Sequence, residues 1–181
     1  LKLTKWMYEK QFAITARLLG EGYEPEMFYA VEPSIQMYIA EKSEALRELY
    51  VSSYSYAATA NYIHQMATDK LVELFGAMHP QYTRQDFYEL ELATSGMVRS
   101  FMARKCDRNF TMEQKLRRFL SCSMTIYGVA EEKQQQVIDR VLEMDLKSVA
   151  DQLVADAIHQ ADEQYQEAER KGKAIEAARN G

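Results

Sequence analysis

The chain has 181 residues, of which 47% are hydrophobic and 27% charged, enough for one globular domain with a sizeable core. A net charge of −5 makes the chain as a whole a poor partner for nucleic acid or an anionic membrane. There is no membrane-length apolar run, no secretory signal and no CxxC pair among the two cysteines, so we expect a cytoplasmic protein without membrane contact.

Good helix formers fill most of the sequence, and only 7 Gly and 3 Pro interrupt it. We therefore predict an all-α fold, a helical bundle of about seven to eight helices. The first helix spans Leu1 to Leu19 and ends at the glycines of GEGYEP. The second extends to about Lys42, and Pro33 inside it predicts a kink or a restart because proline cannot donate a helical hydrogen bond.

The residues at which the next helices begin show capping motifs. Ser43 is a candidate N-cap, after which the helical pattern continues to Phe75 with a bend in SSYSYAATANY. Thr83 opens TRQD and Thr111 opens TMEQ; both match the capping box, in which a hydroxyl and an acid or amide three residues later satisfy free amides.

Two more helices are predicted at about 131–142 and 145–170. We assign residues 1–170 to a single domain and residues 171–181 to a flexible tail. No internal repeat is visible in the sequence.

Motifs for catalysis are weak. The sequence has no GxSxG, P-loop or GxGxxG, and of its histidines, His64, His79 and His159, only the last belongs to a partial metal motif, Asp156-x-x-His159. We expect no enzyme activity, no metal and no cofactor. The basic residues between Arg99 and Arg118 are interpreted as a solvated face.

Aromatic residues and methionines are concentrated in the first half of the chain. Plain core packing explains most of them, but buried tyrosines need hydrogen-bond partners, and with the break at Pro33 they favour a partly polar cavity between helices. We expect an apolar or aromatic small-molecule effector there. The candidate ligand-binding residues are Phe12, Phe28, Met37, Tyr38, Tyr54, Tyr62 and Met66.

A stripe of small residues, Ala93, Gly96, Ser100 and Ala103, lies along one face of the helix that begins at Thr83. Glycine inside a helix costs about 1 kcal/mol relative to alanine, but a bare face allows close approach of another helix. We predict a two-fold four-helix interface with a second copy; the alternative is packing on a helix of the same chain. The predicted dimerisation residues are Ala93, Gly96, Met97, Ser100, Leu116, Leu120, Ser123 and Tyr127.

Two stretches carry a resemblance to a known family: FYAVEPSIQMYIAEKSEALRELYVSSYS and FYELELATSGMVRSFMARKCDRNFTMEQKLRRFLSCSMTIYGV. The chain from about Leu1 to Leu142 resembles the C-terminal regulatory domain of TetR-type (TetR/AcrR) transcriptional regulators. The resemblance implies an all-helical domain that dimerises through the two helices of the second stretch and holds an effector pocket among the preceding helices.

In that family an N-terminal helix-turn-helix module binds operator DNA, and effector binding reorients the two modules and releases the DNA. The helix-turn-helix is absent from this sequence, and residues 1–20 resemble the helix that would connect to it. Operator DNA is therefore expected as a partner only through that missing module. Two other interpretations remain: an all-helical protein-interaction adaptor without a small-molecule ligand, and a small all-α enzyme with a reactive Cys106.

Overall fold

The computed structural model describes the backbone of residues 2–179 and the side chains of residues 4–163 and 165–171. Every regular element in this range is a helix, which confirms the predicted all-α bundle. The helices are α1 (Lys2–Leu19), α2 (Pro25–Lys42), α3 (Glu44–Ser53), α4 (Ala57–Phe75), α5 (Arg84–Ala103), α6 (Met112–Ile126), α7 (Glu131–Glu143) and α8 (Leu146–Arg179).

Local capping chemistry sets the helix starts. Ser43 accepts a hydrogen bond from the amide of Leu46, and both predicted capping boxes form, at Thr83 with Asp86 and at Thr111 with Gln114. The predicted bend after α3 is a break at residues 54–56 that separates two helices. These starts follow from hydrogen bonds within four residues and do not depend on the rest of the fold.

Pro33 does not restart the helix, contrary to one of the two predicted outcomes, because α2 is continuous from Pro25 to Lys42. Proline removes the hydrogen bond that its amide would give to the carbonyl of Tyr29. The next turn is supported by Ser34, whose hydroxyl donates to the carbonyl of Ala30 at 2.6 Å. Burial of the surrounding helix outweighs the lost bond.

α2 forms the centre of the bundle and contacts each of the other seven helices. Its apolar side chains are buried nearly all round, as expected for a central helix, and the main hydrophobic core extends from it towards α5, α6 and α7. A polar side chain on a helix in this position enters the interior, where it needs a hydrogen-bond partner. Glu32 and Gln36 are the polar side chains that α2 places beside the cavity described below.

α8 packs its first turns on α2 through Leu146, Ala150 and Leu153, and most of the side chains described beyond Val154 are exposed. It continues to Arg179, so it includes most of the segment predicted as a flexible tail; the rest of that segment, residues 180–181, lies outside the described residues. None of the helices described here combines the length and the apolar character needed to cross a membrane.

Candidate ligand cavity and uncovered helix face

A cavity of about 80 Å³ lies in the interior and opens at one side to solvent. It is enclosed mainly by α1, α2, α4 and α5. The lining residues are Tyr8, Phe12, Phe28, Tyr29, Glu32, Pro33, Gln36, Tyr54, Ile63, Ala67, Lys70, Leu71, Leu74, Glu91, Thr94, Ser95, Val98 and Phe119.

Small side chains on α5 help to keep this space open. Thr94 and Ser95 face the interior between Glu91 and Val98, where a larger residue would fill part of the cavity. Their hydroxyl groups are satisfied without a ligand: Thr94 shares a hydrogen bond of 2.8 Å with the Tyr127 hydroxyl, and Ser95 donates to the carbonyl of Leu92. The cavity wall on α5 is therefore polar but already ordered.

Three of the seven predicted ligand-binding residues line this cavity: Phe12, Phe28 and Tyr54. Met37 is fully buried in the core, whereas Tyr38 lies near Glu41 and Cys106 in a separate surface depression. On α4 the lining positions include Ile63 and Ala67 in place of Tyr62 and Met66, which are half-buried outside the cavity lining.

Glu32 brings a carboxyl group to the cavity from the centre of α2. Its side chain accepts a hydrogen bond of 2.6 Å from Gln36, one turn later. No Lys, Arg or His among the described side chains forms an ion pair with it. Burial, opposed by the Gln36 hydrogen bond, raises the pKa of Glu32 to about 7.

Glu91 supplies a second carboxyl group, only 3% exposed, and contacts Nδ1 of His64 at 2.6 Å. Burial raises the pKa of Glu91 to about 8 and lowers the pKa of His64. The short contact requires one proton between the two groups, and both pKa shifts favour a protonated Glu91 that donates to a neutral His64, an arrangement without net charge. Glu32 is then the cavity carboxyl whose charge is not balanced by a neighbour.

Aromatic rings complete the wall. The Tyr8 hydroxyl donates to the Tyr54 hydroxyl at 2.8 Å, and the rings of Phe12 and Phe28 lie 5.9 Å apart, edge to face. At the mouth, Lys70 places its ammonium 5.0 Å from the centre of the Phe28 ring and donates to Glu73. The cavity thus combines apolar faces with a small number of polar groups, which is typical of small-molecule sites.

The small-residue stripe on α5 is uncovered in the protomer. Ala93, Gly96, Ser100 and Ala103 are all exposed, and Met97 beside them is half-buried. A Cβ atom added to Gly96 would meet nothing within 4 Å. The alternative in which another helix of the same chain covers the stripe is therefore wrong for this protomer, and the predicted second copy remains a prediction.

The residues predicted for the α6 half of the dimer surface lie in the core. Leu116, Leu120, Ser123 and Tyr127 are at most 1% exposed and pack within the protomer, so they are not accessible to a second subunit. Their helical spacing is correct, but it marks the face that α6 turns towards the interior. If α6 takes part in a dimer, it does so through its exposed side.

The other residues considered for chemistry have structural partners. His79 bonds through Nε2 to the carbonyl of Tyr127 at 2.7 Å, and His159 lies 3.7 Å from Glu163 on the exposed side of α8. Burial raises the pKa of the Cys106 thiol, which disfavours the nucleophilic thiolate. Among the described residues, no group of three His, Cys, Asp or Glu side chains could hold a metal ion.

Comparison with protein-family models, with curated proteins and with solved structures gives no match to this chain. The functional conclusions below therefore depend on the cavity, on the uncovered face of α5 and on the resemblance described from the sequence.

Proposed function

We propose that this chain is the ligand-sensing and dimerising regulatory domain of a TetR-type transcriptional regulator. The observation that carries the proposal is the interior cavity with mixed aromatic and polar walls. In this proposal the protein is cytoplasmic, has no catalytic role, and acts on operator DNA through a helix-turn-helix module that is not part of the 181 residues.

The composition of the cavity wall supports a sensing role. Tyr8 and Phe12 belong to α1, the helix that would lead to the DNA-binding module in a regulator of this type. A ligand that contacts these two side chains also favours one position of α1. Such a ligand shifts the population of conformations by its differential affinity, typically 1–3 kcal/mol in allosteric proteins.

The uncovered stripe on α5 supports the dimer. Small side chains allow the backbones of two helices to approach closely, and the neighbouring Leu92 is also exposed. A symmetric contact through this face would bring the stripe of one protomer against that of its partner.

Gly96→Leu is the experiment that tests the dimer. Because there is open space around Gly96 in the protomer, leucine should leave each subunit folded and favour the helix by about 1 kcal/mol through its higher helix propensity. In the dimer the same side chain would separate the two helices. We expect light scattering to show a dimer for the parent chain and a monomer for the variant.

Gln136→Leu is the matched control because it places an exposed leucine on α7, away from the stripe. It should remain dimeric. A Gly96→Leu protein that stays a dimer of unchanged stability would overturn the proposed interface. A parent chain that is a clean monomer would instead support the adaptor function, in which the same stripe binds a different protein.

A further inference from the structure

We propose that the cavity binds a small organic cation with an aromatic or apolar body, whose charged end lies beside Glu32. This inference rests on the proposed function, in which the cavity is the effector site, and it specifies the chemistry of the effector. Sequence composition alone suggests only an apolar or aromatic molecule.

The charges around the cavity favour a cation. Glu32 forms no ion pair with any described side chain, and Lys70, which lines the cavity mouth, is paired with Glu73 at 2.6 Å. The Glu91 carboxyl group already has a hydrogen-bond partner, Nδ1 of His64 at 2.6 Å. A ligand in the cavity therefore meets one carboxyl group without a counterion, and a cation is the complementary charge.

The cavity wall also holds a hydrogen-bond acceptor without a donor. Gln36 is 2% exposed and lines the cavity, and it uses its amide Nε2 to bond Glu32. Its Oε1 is buried and has no hydrogen-bond partner. A buried acceptor without a donor costs about 1–3 kcal/mol, and an ammonium N–H of a ligand would remove that cost.

The size of the cavity and the aromatic character of its wall favour a compact ligand. Three tyrosines line the cavity: Tyr8, Tyr29 and Tyr54. Aromatic faces attract cations and accept flat apolar groups equally well. A volume of about 80 Å³ is below the roughly 150 Å³ of a cavity that holds benzene, so the ligand is compact and a single-ring ligand needs either side-chain movement or the open side of the cavity.

The test uses three probes of one shape: benzylammonium, benzyl alcohol and phenylacetate, titrated by protein NMR at pH 8. We expect benzylammonium to bind at least about ten-fold more tightly than the neutral alcohol, and phenylacetate to bind most weakly, because a desolvated charge contact is worth this much. Glu32→Gln should remove the ten-fold preference and leave binding of benzyl alcohol within about two-fold.

Two controls locate the effect. Glu132→Gln removes an exposed carboxylate on α7 and should change none of the affinities. Ala67→Phe fills the cavity from α4 and should abolish binding of all probes. Binding that survives Ala67→Phe would place the probes elsewhere and overturn the proposal.

The two proposals fail in different ways. Equal affinities for benzylammonium, benzyl alcohol and phenylacetate would overturn the preference for a cation and leave the cavity as an effector site. No binding of any probe at millimolar concentration would overturn both the ligand class and the sensing role of the cavity. A monomeric parent chain, by contrast, would count against the regulator and not against the ligand class.

Discussion

Two charged groups of this protein, one fully buried and one half-buried, have opposite surroundings. The ammonium of Lys115 on α6 is fully buried and donates to Glu41 at 2.7 Å and to the carbonyl of Arg104, with the Phe110 ring 5.7 Å away. Glu32 on α2 has one amide donor and no counterion among the described side chains. The chain gives Lys115 a counterion and a second hydrogen-bond acceptor, whereas it gives Glu32 no counterion among the described side chains.

The difference separates a structural charge from a candidate functional one. A buried ion pair with complete hydrogen bonding needs no ligand, because each charge is compensated by its partner. Removal of either member leaves the other charge uncompensated. A half-buried, partly desolvated carboxyl without a counterion lowers stability, and such a cost is commonly retained where binding requires it. Three substitutions test this comparison.

Lys115→Met should have the largest effect. It leaves Glu41 without its main partner, and loss of one member of a buried pair costs about 3 kcal/mol or more. Urea denaturation at pH 7 would measure the decrease in the free energy of unfolding. Lys105→Met, at an exposed position in the α5–α6 connection, is the control and should be close to neutral. A loss below about 1 kcal/mol would show that the Lys115 pair is not structural.

The pH dependence of the Lys115→Met effect gives a second test of the pair between Lys115 and Glu41. Although burial acts to raise it, the hydrogen bond and charge of Lys115 hold the pKa of Glu41 below its ordinary value. A lowered carboxyl pKa contributes stability above the unfolded value and loses it as pH falls through the folded value. The gap in unfolding free energy between parent and Lys115→Met should therefore narrow in acid, below a pH of about 4.5.

Glu32→Gln should increase the free energy of unfolding at pH 8, whereas Lys115→Met decreases it. Because the pKa of Glu32 is raised from 4.5 to about 7, its favourable contribution is complete below pH 4.5 and lost as pH rises through about 7. At pH 8 the glutamine variant should be more stable by about 3 kcal/mol, a rise in Tm of about 6–12 °C, and at pH 4 the difference should vanish. The measurement is thermal unfolding at both pH values.

Other titratable groups line the same cavity, namely Tyr8, Tyr29, Tyr54, Lys70 and Glu91, and His64 contacts Glu91 behind the wall. They remain in the variant, so the difference between the two proteins isolates Glu32. A variant that is less stable at pH 8 would show that the Glu32 carboxylate is held by interactions inside the protein, and the comparison with Lys115 would fail.

Arg117→Met should have the smallest effect. Arg117 lies two residues after Lys115 on α6 and pairs with Glu113 and Asp139, each at 2.9 Å, but it is 41% exposed. Exposed ion pairs contribute at most about 1 kcal/mol because water and salt screen them. The same urea titration applies, and a loss as large as that of Lys115→Met would mean that burial does not explain the difference.

The helix boundaries could be predicted from the sequence wherever they depend on local bonds. Thr83 and Thr111 show this, because each capping box involves four consecutive residues. Pro33 shows the limit: its local preference predicts a kink or a restart, but the packing of α2 against seven helices keeps the helix continuous. The end of α8 was also placed too early, since good helix formers continue to Arg179.

The cavity was harder to predict because periodicity does not say which side of a helix faces it. On α4 the prediction chose Tyr62 and Met66, one position away from Ile63 and Ala67. Glu32 and Glu91 were missed, although a visible signal existed for Glu32: together with Gln36 it forms a polar pair at i and i+4 in the apolar stretch FYAVEPSIQMYIA. On α6 the helical spacing identifies a buried face, but that face packs in the core of the protomer and not against a second subunit.

The place of α1 in the cavity wall has a mechanical consequence. Tyr8 and Phe12 lie about one turn apart on this helix, so a displacement of α1 changes the cavity and a bound molecule resists the displacement. By thermodynamic linkage the coupling is reciprocal. If a bound molecule changes the equilibrium between two positions of α1 by some factor, then holding α1 in one of these positions changes the affinity of the cavity by the same factor. In the proposed regulator, the position of the first helix would therefore depend on what the cavity holds.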